Sequence, residues 1–468
     1  MDKSSRSGCR FRIVNAGHEF QRQAPACWAA TLLRGGVPRV MTRPARARAG
    51  KRGPWPSRRA QTLLELIVTV TSERHRVRVN PSTQNQTKRD GEPVSWSTGA
   101  WREGSPEGDR QSMDIGSLRF EAGGALPQVR VAYETWGTLS SARDNAIMVE
   151  HALTGDSHVA GPAGVGHPTP GWWDGLIGPG CPLDTDHWFV VASNVIGGCQ
   201  GTTGPSSQAP DGRPWGSRFP FVTVRDQVAA EAALADRLGI STWAAVLGGS
   251  MGGMRALEWA VTYPERVRRC IVVACSAYAS AEQIAWCQPQ LLAIRQDPDF
   301  AGGDYYGSAS GPDLGLGLAR RIAHVTYRSE PELDSRFGRA AQGHEQPLGG
   351  DGRFAVESYL DHHADTLTAR FDANSYVVLT ESMNSHDIGR GRGGVQAALE
   401  RVTADLVVVA VDSDRLYPPR LSHEIALASA CSGPAHVITS DHGHDGFLIE
   451  IAQVGEIVRE SLSRTLGG

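Results

Sequence analysis

An α/β fold with a largely parallel sheet, broken once by a helical insertion, is what this 468-residue sequence predicts. Three observations carry that expectation. Continuous apolar runs of strand length alternate with helix-length amphipathic segments, the rhythm of strands covered on both faces. A glycine-rich turn, Leu247-Gly248-Gly249-Ser250-Met251-Gly252-Gly253, joins one such run to a helical segment. The rhythm stops near residue 284 and resumes near residue 396, as it does when a second element is inserted into a continuing sheet.

Residues 1–112 are different material from the rest. They hold 21 Lys+Arg against 9 Asp+Glu, whereas the remainder holds 26 against 41, and they show no sustained period of 2 or 3.6. Rich in Arg, Ser, Pro and Gly, they are expected to form a disordered basic extension. Their one apolar run, 63–70, is too short to span a bilayer and is not followed by a signal-peptide cleavage pattern. A transit peptide or a nucleic-acid-binding arm would also be arginine-rich, but an over-called start, with Met113 opening the folded part, is the preferred reading.

From Met113 the pattern changes at once. Residues 118–121 and 129–133 alternate around Ala122-Gly123-Gly124, which predicts an antiparallel hairpin. Buried strands are expected at 146–149, 188–192, 243–246, 270–274 and 406–411. Helices are expected at 224–238, with Gly239 as C-cap, at 254–263 after the glycine turn, and at 451–462. The segment 284–395 has helical patterning at 316–325 and 354–362 and reads as a lid. The folded part therefore divides into a first core segment, 113–283, the lid, 284–395, and a second core segment, 396–468.

Composition excludes several classes. Eight cysteines (9, 27, 181, 199, 270, 275, 287 and 431) lie without CxxC pairs or zinc-type histidine spacing, so neither a metal site nor a disulfide framework is expected. A reducing, cytoplasmic setting fits. The acidic balance after residue 112 argues against a nucleic-acid partner for the folded part, and no bound redox cofactor is expected because no phosphate loop is present.

Gly248-x-Ser250-x-Gly252 between a strand and a helix is the pattern that forces a serine onto a tight, strained turn with its hydroxyl in a cleft. Ser250 is thus the expected nucleophile, and the N–H of Met251 at the helix start is an expected oxyanion donor. A serine needs a base, and the base a carboxylate that fixes its tautomer. Asp414, in the loop after 406–411, is the preferred acid, with Asp412 the alternative. His444, in Gly443-His444-Asp445-Gly446, is the preferred base over His442. The second oxyanion donor is expected from the loop after 146–149, where the N–H of Leu153 is the candidate.

Taken with Ala132-Tyr133-Glu134-Thr135-Trp136-Gly137, His151-Ala152-Leu153-Thr154-Gly155-Asp156, Gly171-Trp172-Trp173-Asp174, Gly201-Thr202-Thr203-Gly204-Pro205-Ser206-Ser207 and Asn384-Ser385-His386-Asp387, these motifs make the chain from about residue 114 onward resemble the homoserine O-acetyltransferases. That resemblance implies an α/β-hydrolase fold with a mostly parallel central sheet and an inserted helical lid. It implies ping-pong transfer of an acetyl group from acetyl-CoA, a co-substrate and not a bound cofactor, to L-homoserine in methionine biosynthesis. It also implies that Arg320 pairs with the acceptor's carboxylate, that Asp445 pairs with its ammonium group, and that a homodimer forms through the lid. A succinyl donor, a serine acceptor, or an esterase or thioesterase would keep the same triad.

Overall fold

The computed structural model describes residues 97–350 and 352–464. Of the extension expected over 1–112, residues 1–96, with the apolar run at 63–70, lie outside the described residues. Strands β1 (Gln111–Arg119) and β2 (Ala125–Trp136) form the expected antiparallel hairpin. Next come β3 (Ala146–Glu150), a short parallel pair β4 (Ile177–Gly178) and β5 (Leu183–Asp184), and β6 (Phe189–Ser193). Helix α1 (Val224–Leu238) opens on a capping box between Thr223 and Asp226 and closes on Gly239 at φ 71°, so both of its ends are written in the sequence. Then β7 (Ala245–Gly249), α2 (Met251–Thr262) and β8 (Arg269–Val273) complete the first core segment.

The lid consists of α3 (Ala281–Arg295), α4 (Asp313–Tyr327), α5 (Glu330–Arg336), α6 (Ala355–Thr368) and α7 (Ala373–Asn384). Helix α4 packs against both α3 and α6. The insertion enters and leaves through one place, where Ala279 N–H donates to His386 O (2.9 Å) and Ile388 N–H donates to Ala277 O (3.0 Å). The chain then returns to the core as α8 (Val395–Leu399), β9 (Asp405–Val411), α9 (Pro419–Ala428), β10 (His436–Ile438), α10 (Gly446–Ile449) and α11 (Ile451–Ser463).

The main sheet has the order β1-β2-β6-β3-β7-β8-β9-β10 and is parallel from β6 to β10. Alternate residues of its central strands feed two separate cores. Met148, Val246 and Val272 pack with α1 and α2 through Val228, Met254 and Leu257, while Ile147, Leu247 and Val273 pack with Trp173, Phe447, Val454 and Val458. Both faces being covered explains the continuous apolar runs.

Two features depart from the sequence reading. The folded part begins before Met113: Ser97 and Arg110 are buried, Ser97 Oγ donates to Tyr305 O, Thr98 Oγ1 donates to Asp372 Oδ1, Trp101 N–H donates to Cys199 O, and Arg110 Nη1 donates to Gly166 O. This strap is held by individual polar bonds and has no apolar stripe, so it leaves no period to detect. The short strand β10, only three residues long, also gives too brief a pattern to recognise, yet it carries the loop that ends in His444.

Candidate active site

Three loops at the carboxyl ends of parallel strands converge, where open α/β sheets build their sites. Ser250 follows β7 directly and has φ 58°, ψ −122°, a conformation that costs a non-glycine residue about 1–3 kcal/mol. The glycines around it make the turn possible. A Cβ on Gly252 would sit 2.0 Å from the carbonyl oxygen of Glu150, and one on Gly248 would sit 2.5 Å from the backbone of Gly252. The strained serine is locked by Ser250 N–H donating to Val273 O (3.0 Å) and by Met254 N–H donating to Ser250 O (3.1 Å).

His444 Nε2 lies 2.8 Å from Ser250 Oγ, and its Nδ1 lies 2.7 Å from Asp414 Oδ2. A carboxylate only accepts, so Nδ1 carries the proton and Nε2 is left to take one from the serine. Asp414 Oδ1 accepts the N–H groups of Leu416 (2.9 Å) and Tyr417 (2.8 Å), which hold the carboxylate in place. Burial works to lower the pKa of His444. The charge and hydrogen bond of Asp414, with a further contribution from Asp445, outweigh it and leave the imidazole above its ordinary value. Tyr417 stacks on the ring at 4.9 Å and Phe447 meets it edge-on at 5.4 Å.

The alternatives go elsewhere. Asp412 Oδ1 accepts Ser440 N–H (3.0 Å) and ties β9 to the strand end of β10. His442 faces Glu332 at 3.4 Å, with about a third of its side chain exposed.

Leu153, three residues beyond β3, lines the same cavity as Ser250, together with Trp286, Cys287, Tyr327 and Met383 of the lid and Tyr417 of the core. The N–H groups of Leu153 and Met251 make no hydrogen bond among the described residues, so both are available to an oxyanion. A larger cavity of about 330 Å³, between the strap and residues 201–214, contains no member of this site.

Arg320 and Asp445 are both placed at the lid side of His444. Arg320 stands 5.6 Å over the Tyr327 ring, its Nε buried without a hydrogen-bond partner and with no carboxylate within ion-pair reach among the described residues. Asp445 has a neighbour within the protein, Arg328, whose Nε approaches its Oδ2 at 3.2 Å in an ion pair that lacks hydrogen-bond alignment. Burial raises the Asp445 carboxyl above its usual range against the pull of Arg328, His444 and Arg320. Sequence reasoning missed Arg328, Cys287 and Trp286. Of these only Arg328 has a local signal, since it follows a helix that already carries Arg320 two turns earlier.

Among the described residues one cluster has the composition of a metal site: Glu134, His158 and His167, all buried, with potential ligand atoms within 4.8 Å of one another. Its geometry is that of a hydrogen-bonded group. His158 Nδ1 is 3.0 Å from Glu134 Oε2, Ser157 Oγ donates to Glu134 Oε1 (2.7 Å), and His167 Nε2 accepts the N–H of Asp109 (3.1 Å). The two imidazoles stack at 3.9 Å with planes 13° apart, so their in-plane lone pairs run side by side and do not converge on one ion. The cluster binds the strap to the core. No described helix is long and apolar enough to cross a membrane.

Residues 145–450 match the family model described as the alpha/beta hydrolase fold. The homoserine O-acetyltransferase of Thermobifida fusca (strain YX) is 63% identical over 369 residues, which span 78% of this chain and 97% of that protein. Among solved structures, the homoserine O-acetyltransferase from Bacillus anthracis matches with a TM-score of 0.71 at 30% identity, over 77% of this chain and 98% of that one. Esterase E22 matches with a TM-score of 0.69 at 27% identity, over 76% and 99%.

Proposed function

The chain belongs to the homoserine O-acetyltransferase family of the α/β-hydrolase fold, and on that premise we propose that it transfers an acetyl group from acetyl-CoA to the hydroxyl of L-homoserine by a ping-pong mechanism, giving O-acetyl-L-homoserine for methionine biosynthesis in the cytoplasm. The observation that carries the reading is His444 bridging Ser250 and Asp414 at 2.8 and 2.7 Å beneath a lid that presents the unpaired Arg320.

In the first half-reaction Ser250 Oγ attacks the thioester carbon while its proton passes to His444 Nε2. The developing oxyanion is received by the N–H groups of Leu153 and Met251. Collapse breaks the C–S bond, His444 returns the proton to sulfur, and coenzyme A leaves. In the second half, the homoserine hydroxyl attacks the acetyl-serine as His444 takes its proton. A second oxyanion forms in the same place, and its collapse returns the proton to Ser250 Oγ and frees the ester. Asp414 holds the imidazolium in both halves.

Arg320 meets the acceptor's carboxylate in this reading, since a planar cation with a free edge suits a carboxylate. Arg328 engages Oδ2 of Asp445, which leaves Oδ1 for the acceptor's ammonium group. The lid also carries exposed apolar side chains, among them Leu314 and Leu318 on α4 and Trp286 and Leu292 on α3. They support a homodimer through the lid, and equilibrium sedimentation should return twice the chain mass.

The likeness to an esterase favours one second reading, in which water resolves the acyl-enzyme. Thiol release from acetyl- or succinyl-CoA, with homoserine, serine or water as acceptor, separates the two. Transfer requires fast release from acetyl-CoA only when homoserine is present, whereas release that ignores the acceptor makes the protein a thioesterase.

A further inference from the structure

One buried histidine next to the site takes no part in the proton transfers above. His151 is 3% exposed and stands between the end of β3 and Leu153. Its ring makes two bonds of opposite sense. Val195 N–H donates to Nε2 (3.1 Å), so that nitrogen bears a lone pair, and the proton of the neutral ring sits on Nδ1. Nδ1–H then donates to the carbonyl oxygen of Ala152 at 2.7 Å. Gly155 N–H donates to the same oxygen at 3.0 Å.

The Ala152 carbonyl and the Leu153 N–H belong to one peptide plane. In a trans peptide these two groups point in opposite directions, and no described peptide is cis. Holding the carbonyl on the His151 side therefore turns the N–H to the other side. A flipped peptide would place a carbonyl oxygen where an oxyanion must form.

The histidine is itself anchored to the nucleophile's helix. Arg255, five residues after Ser250 and fully buried, donates through Nη2 to His151 O (2.6 Å) and pairs through Nη1 with Glu150 (2.7 Å) and Glu231 (2.6 Å). One side chain thus fixes the end of β3 to α2, whose first N–H, that of Met251, is the other expected donor. Burial and the Arg255 charge push the His151 pKa well below its ordinary value, which keeps the ring neutral and its donor and acceptor nitrogens in place.

We propose that His151 is a positioning residue for acyl transfer, orienting the Ala152–Leu153 peptide so that the Leu153 N–H faces the oxyanion. The inference rests on the reading of Ser250 as nucleophile and Leu153 as oxyanion donor. It leaves the physiological acceptor open, because every acyl donor passes through the same tetrahedral oxyanion.

The test uses p-nitrophenyl acetate, which acylates Ser250 whether the natural reaction is transfer or hydrolysis. In the full chain, His151→Phe should slow the pre-steady-state acylation burst by on the order of 10²-fold, the size of losing one oxyanion donor, with KM changed by less than ~3-fold. Affinity for a trifluoromethyl ketone, whose hemiketal oxygen occupies the same position, should fall by a similar factor. His151→Asn can place an amide N–H at the Nδ1 position and should recover the rate to within about tenfold of wild type. His151→Gln can satisfy Val195 but places no donor toward Ala152, so it should resemble His151→Phe and serves if the phenylalanine variant does not fold.

Wild-type acylation rates in both the Phe and Gln variants would overturn the proposal. So would a slow burst without loss of ketone affinity, which marks a general packing defect. A wild-type protein whose Ser250 is not acylated by the ester would instead remove the nucleophile reading, and the role of His151 with it.

Discussion

The core half of the site and the lid half are built to opposite rules. On the core side the reacting groups are each partnered: Ser250, His444 and Asp414 form one line, the backbone of Leu416 and Tyr417 braces the carboxylate, and Arg255 forms ion pairs with Glu150 and Glu231 and donates to a carbonyl. On the lid side polar atoms are buried without partners, including Arg320 Nε, both nitrogens of His324 and the Tyr359 hydroxyl. His324 is pushed down to about 2 by burial and by the neighbouring Arg320, His363 and Arg328, so it sits there as a neutral ring. The difference separates two tasks. Chemistry needs groups fixed before the reaction begins, whereas recognition needs groups whose best partner is the ligand.

Substitutions on the two sides should therefore fail in different ways. Ser250→Ala is expected to reduce thiol release by on the order of 10⁵-fold while leaving the fold intact, and steady-state kinetics with intact-mass detection of the acyl-enzyme would check both. Residual turnover near the wild-type rate would break the comparison, because the core would no longer hold the chemistry. Arg255→Met leaves Glu150 and Glu231 buried without their cation and should cost about 3–5 kcal/mol, read from the midpoint of denaturant unfolding. Arg320→Leu should lower kcat/KM for homoserine by ~50-fold, the loss of a hydrogen-bonded ion pair of about 2–3 kcal/mol, and leave acylation by the donor unchanged. A slowed acylation would place Arg320 with the chemistry and blur the division.

The smallest expected effect concerns pH. His444 acts as a base, so kcat/KM rises with pH as the ring loses its proton, through a pKa held above the ordinary histidine value. Asp445 contributes negative charge to that elevation. In Asp445→Asn the imidazolium loses this support, its pKa falls, and the acidic limb of the profile moves to lower pH. A limb that moves upward, or stays where it was, would show that Asp445 acts on the acceptor alone.

The same division governs how much the sequence disclosed. Core elements follow local rules: continuous apolar runs in β3 and β7, which are buried on both faces, the capped helix α1 with its glycine stop, and an elbow whose glycines are required by approaches as close as that of Gly252 to Glu150. Residues 414 and 444 were legible because each sits in a loop of recognisable turn chemistry. The lid's contribution depends on which side chains meet across separate helices, and no local period records that Arg328 reaches Asp445 or that Trp286 and Cys287 face Ser250. The strap before β1 was illegible for a related reason, since its anchors at Asp372, Cys199 and Gly166 are remote in sequence.

The left-handed backbone at Ser250 also bears on how this chain can drift. A glycine there would relieve the strain at φ 58° and stabilise the folded state by about 1 kcal/mol or more. For stability alone, position 250 thus has a replacement better than its own residue, and a population of variants screened only for thermal survival should accumulate glycine at that position. Retention of serine in a lineage is accordingly a record of selection for reactivity, and its replacement by glycine would mark a copy of the gene that has kept the fold and left the trade.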